Sequence, residues 1–144
     1  ATNSFTKSYY KKIIKNKNVS LIFNNTYAIL NVARYALVTS GTASLETALL
    51  KVPQVVCYKT YWLTYIVGKF LIKIKYLSLV NILLNKLVVK ELIQSNLNYK
   101  NLKIELLRLI NNRKKIIKDY NVLIKLLDKK GASRNAADYI QKTI

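Results

Sequence analysis

The sequence predicts an α/β fold in which a doubly wound parallel sheet carries helices on both faces. Three observations lead there. Short apolar, β-leaning runs alternate along the chain with amphipathic stretches of helical spacing. The run YALVTSGTASLETALL at residues 35–50 reads as strand, tight turn and helix. And 144 residues, 51% of them hydrophobic, make one domain of ordinary size with enough apolar surface for a core.

Taken in order, residues 1–18 place Phe5, Tyr9 and Ile13 on one helical face and leave Lys7, Lys11, Lys12 and Lys15 largely outside it, which predicts a surface helix over a core. Residues 19–23 predict a strand. Asn24, Asn25 and Thr26 make a turn with a cap candidate, and Tyr27, Leu30, Asn31 and Ala33 a short helix leading into the strand at 35–38. Pro53 suits a strand edge, and Gln54, Val55, Val56, Cys57 and Tyr58 read as a buried strand. From 62 to 75, Leu63, Ile66, Val67, Phe70, Leu71 and Ile74 follow a helical stripe. Trp62, Tyr65, Lys69 and Lys73 gather on another side, more often a solvated or interdomain face than a membrane interface. Residues 76–80 predict a last short strand and about 87–94 a helix. Beyond Asn98 the chain is helical: Leu102, Leu106, Leu109 and Ile110 form one stripe, Ile116, Ile117, Tyr120, Leu123, Ile124 and Leu127 the next. Gly131 ends that helix, Ser133 can cap another, and Ala136, Ala137, Ile140 and Ile144 are expected to face inward.

The junction at residues 39–46 carries the chemistry. A helix that starts just past the carboxyl end of a strand aims its unpaired N–H groups and positive dipole end at the crevice where a phosphate sits. Gly41 lets backbone approach such a ligand closely. The same small residues also suit a plain helix start capped by Thr42 or Ser44. Glu46, one turn into the helix, suits the dipole and can accept hydrogen bonds from a diol such as a ribose. Asn81 and Glu91 fall where a doubly wound sheet presents ligand-binding loops.

Composition narrows the classes further. Lys and Arg number 25 against six Asp and Glu, a net charge of +19, which fits nucleic acid, an anionic membrane surface or phosphate-bearing substrates. The lysines are scattered along helices, as solvated helix faces also are, and no RNA-binding motif accompanies them, so no nucleic-acid partner is expected. The chain has no His, which removes the usual metal ligand and the usual base near neutral pH, and no metal site is expected. Cys57, alone in an apolar run, reads as a small core residue. No uncharged apolar run approaches the roughly 20 residues of a membrane span, and the start lacks a signal pattern, which predicts a cytoplasmic protein.

One family is similar over nearly the whole chain. SGTASLETAL at 40–49, Pro53 with VVCYK, LTY at 63–65, KYLSLVN at 75–81, VVKELIQ at 88–94 and GASRNAADYI at 131–140 resemble, in order, the carboxyl-terminal half of lipid-A-disaccharide synthase. The resemblance implies the Rossmann-like second lobe of a two-lobed GT-B inverting glycosyltransferase, spanning 1–144 with 98–144 as its C-terminal helices. That lobe binds the UDP part of the donor, UDP-2,3-diacylglucosamine. The acceptor is 2,3-diacylglucosamine 1-phosphate, and its site and the catalytic base belong to an amino-terminal lobe absent from these residues. On the resemblance, Ser40, Gly41 and Thr42 face the donor diphosphate, Glu46 takes the ribose, and Asn81, Glu91 and Gln94 line the donor site. It implies no cofactor, and no turnover by these residues alone. Val80, Asn85, Lys86 and Leu87 stand where many members have Pro, Gly and Arg-Glu, and Lys59 where Arg is frequent. Acylated substrates imply peripheral contact with an anionic membrane surface on the cytoplasmic side, and a homodimer is among the assemblies allowed. Two other readings stay open: another UDP-sugar transferase or an epimerase lobe, which in the epimerase case would show Ser-Gly-Gly and paired carboxylates, and a noncatalytic basic module for RNA or anionic lipid.

Overall fold

The structure, a computed structural model, describes residues 5–39, 41–61, 75–128 and 131–143. It comprises two units, Ala1–Ala33 and Arg34–Ile144. In the first, α1 (Lys7–Ile13) starts at Thr6, whose hydroxyl accepts the Tyr9 N–H, and ends with Lys11 and Lys12 at its negative dipole end. Helix α2 (Thr26–Val32) follows Asn25, and Leu30 is its buried residue. The expected strand at 19–23 does not form: among the described residues no strand comes from this segment, and the Val19 N–H closes a local turn on the Asn16 carbonyl instead. An apolar run becomes a strand only with a neighbour to ladder with. The expected inward face of α1 is also corrected. Phe5, Tyr9 and Ile13 are exposed; Phe5 and Tyr9 stack on each other at 4.6 Å, and Tyr10 meets Phe23 edge-on at 5.8 Å.

The second unit runs β1 (Ala36–Thr39), α3 (Thr42–Leu49), β2 (Gln54–Tyr58), α4 (Leu79–Leu84), β3 (Lys90–Ile93), a 3-10 turn (Gln94–Asn96), α5 (Tyr99–Asn111), α6 (Arg113–Leu127) and α7 (Ala132–Thr143). The strands form a parallel sheet in the order β1-β2-β3, with Val38 opposite Val56 and Val56 opposite Glu91. Helices flank this sheet, as a parallel sheet requires. Gln54, Val55 and Val56 are successive and all buried. Side chains alternate faces along a strand, so β2 is covered on both sides. Helix α5 packs on β2 and β3, whereas α3 packs against α4 and α6. Val55, Val56, Val80, Leu92, Tyr120 and Leu123 form the centre of the core.

Two elements exchange places relative to expectation. Residues 76–80 are not a strand: α4 begins at Leu79, and Val80 and Asn81 are its buried residues. Residues 87–94 are not a helix: they contain β3. Both runs are short and apolar, where periodicity separates helix from strand poorly. The decision is tertiary, because β2 has a second edge to pair and the β-branched Val88 and Val89 lead into the strand that pairs it. Asn85 ends α4 in the left-handed region at φ 45°, a conformation Asn tolerates second only to Gly.

The C-terminal helices form as expected, but their inward faces are narrower. Leu109, Ile116, Tyr120 and Leu123 are buried, while Ile110 and Leu127 are exposed. In α7, Ala136, Ala137 and Ile140 are exposed rather than inward. Periodicity says which residues share a face; whether anything covers it is not a local property. The helix expected at 62–75 and the inward Ile144 lie outside the described residues apart from Lys75.

Tyr120 is the keystone of the α3 side, fully buried with its hydroxyl 3.4 Å from Gln54 Nε2. Tyr120→Ala is expected to cost about 3–5 kcal/mol in denaturant unfolding, and Tyr120→Phe about 1 kcal/mol. Burial, partly offset by the Gln54 contacts, pushes the Tyr120 phenol up to about 12. The unfolded chain ionises this group first, near 10, so stability present below that pH falls as pH rises toward 12, by about 2–3 kcal/mol. Unfolding measured side by side with Tyr120→Phe, which shares every lysine titration, isolates the loss; equal slopes for the two proteins would refute it.

Candidate functional site

In a parallel sheet the chain leaves every strand at the same edge, so the turn after β1, the loop after β2 and the turn after β3 meet there. At the first of these, Gly41 adopts φ 131° and ψ −157°. Among the described residues a Cβ at Gly41 would meet no atom within 4 Å, so the demand for glycine is conformational and the described residues leave the space beside the turn open. No side chain among the described residues caps α3. The Thr42 and Ser44 cap expectation is thereby corrected: the Ser44 hydroxyl donates to the Gly41 carbonyl at 2.7 Å and the Ser44 N–H closes on the same oxygen at 3.1 Å. Among the described residues the Thr42 and Ala43 N–H groups take no partner, and they stand at the positive end of the helix beside an exposed glycine. Ser40 lies outside the described residues.

Thr42 and Glu46 are four residues apart and share a face of α3, about 6 Å apart along its axis. Ser44, Thr47 and Ala48 form the buried face. Glu46 is half-buried, and its carboxylate engages no hydrogen bond or ion pair among the described residues. Glu91 is its opposite. Its carboxylate accepts the N–H groups of Leu77 (3.0 Å) and Ser78 (2.8 Å) and the Asn81 side-chain amide (2.8 Å). Asn81 is wholly buried; its oxygen accepts the Val88 and Val89 N–H groups, and its nitrogen also donates to the Val89 carbonyl. These two side chains bolt the start of α4 to β3. Gln94, at φ 51°, clasps the loop after β2: its oxygen accepts the Thr60 N–H at 2.8 Å and its nitrogen donates to the Thr60 carbonyl at 3.0 Å.

Gly41, Thr42 and Glu46 are therefore brought together with free polar groups, whereas Asn81, Glu91 and Gln94 act on their own backbone. Lys59 is exposed just past β2 at the same edge. Lys86 is not at this edge; it pairs with Asp119 at 2.7 Å before β3. Gln54 was not anticipated. Its Nε2 donates to the Ser44 carbonyl at 2.7 Å, so β2 holds the first turn of α3 from beneath. The signal was there, a lone polar residue heading a buried apolar run. Burial pushes the half-buried Cys57 thiol up, away from the reactive thiolate. Among the described residues no three His, Cys, Asp or Glu cluster as metal ligands do, and no helix is long and apolar enough to cross a membrane.

Removing the Glu91 carboxylate strands two backbone N–H groups and an amide, so Glu91→Ala is expected to destabilise the fold by about 2–4 kcal/mol, and Glu46→Ala by less than about 0.5 kcal/mol. Thermal and urea unfolding of the two variants compare them directly; a similar loss for both would contradict the division of roles.

Residues 2–144 match the family model described as lipid-A-disaccharide synthetase. The chain is 41% identical over 104 residues to lipid-A-disaccharide synthase 1 of Legionella pneumophila (strain Paris), an alignment covering 71% of this chain and 26% of that protein. It is 40% identical over 122 residues to the lipid-A-disaccharide synthase of Syntrophus aciditrophicus, covering 83% of this chain and 32% of that one. It is 35% identical over 131 residues to the enzyme of that name from a Sulfurihydrogenibium species, covering 89% and 34%. The chain thus spans about a third or less of the length of these relatives.

Proposed function

Since the chain belongs to the lipid-A-disaccharide synthetase family, we propose that it is the donor-binding, carboxyl-terminal lobe of a two-lobed GT-B glycosyltransferase of lipid A biosynthesis. The single observation that carries this reading is the open turn at Gly41, with unpartnered N–H groups at the start of α3 and an unengaged Glu46 one turn on. The diphosphate of a UDP-sugar rests on Gly41 and on the Thr42 and Ala43 N–H groups, with Ser40, adjacent in sequence, as a further candidate, and its charge meets the helix dipole. Glu46, on the face of Thr42, accepts the ribose hydroxyls. Asn81, Glu91 and Gln94 belong to the donor site by holding its walls: two fasten α4 to β3 and the third fixes the loop leaving β2.

The reaction is an inverting transfer. The acceptor hydroxyl of 2,3-diacylglucosamine 1-phosphate attacks the anomeric carbon of UDP-2,3-diacylglucosamine, its proton passes to a base, and UDP leaves as an anion stabilised at the turn. The base and acceptor site belong to the amino-terminal lobe, so these residues bind donor without turning it over. No cofactor takes part in this reading. The acylated substrates place the enzyme at the cytoplasmic face of a membrane, where lysines favour anionic headgroups.

Calorimetric titration with UDP, with ADP as specificity control, tests the proposal. Saturable binding selective for UDP and weakened roughly tenfold or more by Glu46→Ala is expected. Equal, salt-sensitive binding of both nucleotides would instead favour a plain basic module.

A further inference from the structure

A second feature lies at the opposite edge of the sheet. The loop before β3 and the facing ends of α5 and α6 border an open cavity of about 140 Å³, lined by Lys86, Lys90, Arg108, Lys115, Glu105 and Asp119 together with Asn112 and apolar side chains. Lys90 opens β3, whereas the Gly41 turn follows the end of β1. Four residues of strand separate the two edges, roughly 13 Å, so this cavity does not belong to the turn after β1.

The charges inside it do not cancel. Lys86 holds Asp119 at 2.7 Å, and Arg108 faces Glu105 across a looser 3.8 Å. Among the described residues, which include all six Asp and Glu, Lys90 and Lys115 pair with no carboxylate. Four cations against two carboxylates leave a surplus of two positive charges, the magnitude of a phosphate monoester's charge near neutral pH. Asn112, whose side-chain nitrogen donates to the Arg108 carbonyl at 2.9 Å, stands where α5 ends and the fifteen-residue α6 begins, so the two helix dipoles meet there with opposite sign and the positive surplus rests on the side chains. Arg108 is largely exposed, its guanidinium engaged only at 3.8 Å and able to grip an oxyanion with two N–H groups. The volume is ample for a phosphate group.

We propose that this cavity is a phosphate-binding site, taking either a free phosphate ester or the phosphate of a lipid headgroup, with Lys90, Lys115 and Arg108 as its ligands. Titration of the full chain with inorganic phosphate at low salt, followed by backbone amide shifts, tests it on the unaltered protein. Saturable shifts centred on Asn112 and Lys115 are expected; shifts spread over the lysine-bearing surface, or none, would overturn the site. The double variant Lys90→Gln/Lys115→Gln is expected to weaken binding roughly tenfold or more. Lys114→Gln/Lys118→Gln removes the same charge from exposed positions of α6 outside the cavity and is expected to leave binding within about twofold. Equal loss in both pairs would reduce the effect to net charge and refute the proposal. Flotation with phosphatidylcholine vesicles, with and without phosphatidic acid, separates the sources: capture that depends on phosphatidic acid, on Lys90 and Lys115, and yields to added phosphate assigns a lipid headgroup, while binding of soluble phosphate alone assigns a free ester.

Discussion

Among the described strands β2 alone ladders on both edges, and it is covered on both faces. Its backbone therefore has no recourse to water, and its N–H and C=O groups must be answered by protein. That constraint selects its neighbours. It calls β3 out of a segment whose local preference is mixed, and the buried Gln54 amide nitrogen finds partners inside, in the Ser44 carbonyl and the Tyr120 hydroxyl, while the Gln54 side-chain oxygen has none among the described residues. Since Ser44 belongs to the first turn of α3, the interior of the sheet and the turn at its edge are one mechanical unit.

The polar residues of the second unit divide by the same logic. Asn81 and Glu91 are buried or half-buried in a fold with few acids, and each is satisfied several times over by backbone. A carboxylate placed on the N–H groups just ahead of α4 offsets the positive end of that helix. Among the described residues the start of α3 has no such internal carboxylate or side-chain cap. The two helix starts thus differ in whether the protein answers its own dipole.

The large positive charge takes on a more local meaning when its positions are considered. Among the described residues most lysines stand on exposed helix faces, where each is hydrated and screened. At the start of β3 four cations converge on one concavity with only two carboxylates, and there the field is concentrated by low-dielectric walls. Counting charges along the chain gives no hint of this, because Lys86, Lys90, Arg108 and Lys115 come from a loop, a strand and two helices.

By itself the sequence determined the strand-turn-helix at Ala36–Thr39 and Thr42–Leu49, the strand Gln54–Tyr58, the three C-terminal helices, and Gly41 and Glu46 as candidates for a ligand. Each rests on a local cause: β-leaning apolar runs, helical spacing, and a glycine where φ is positive. Only the tertiary structure decided the rest. It made 79–84 helix and 90–93 strand, because pairing with β2 outweighs propensity in short runs. It left the α7 face uncovered and residues 19–23 without a ladder, because burial and pairing depend on what lies opposite. And it turned Asn81, Glu91 and Gln94 inward while leaving Glu46 free, since hydrogen-bond partners distant in sequence are assigned by packing and by nothing local.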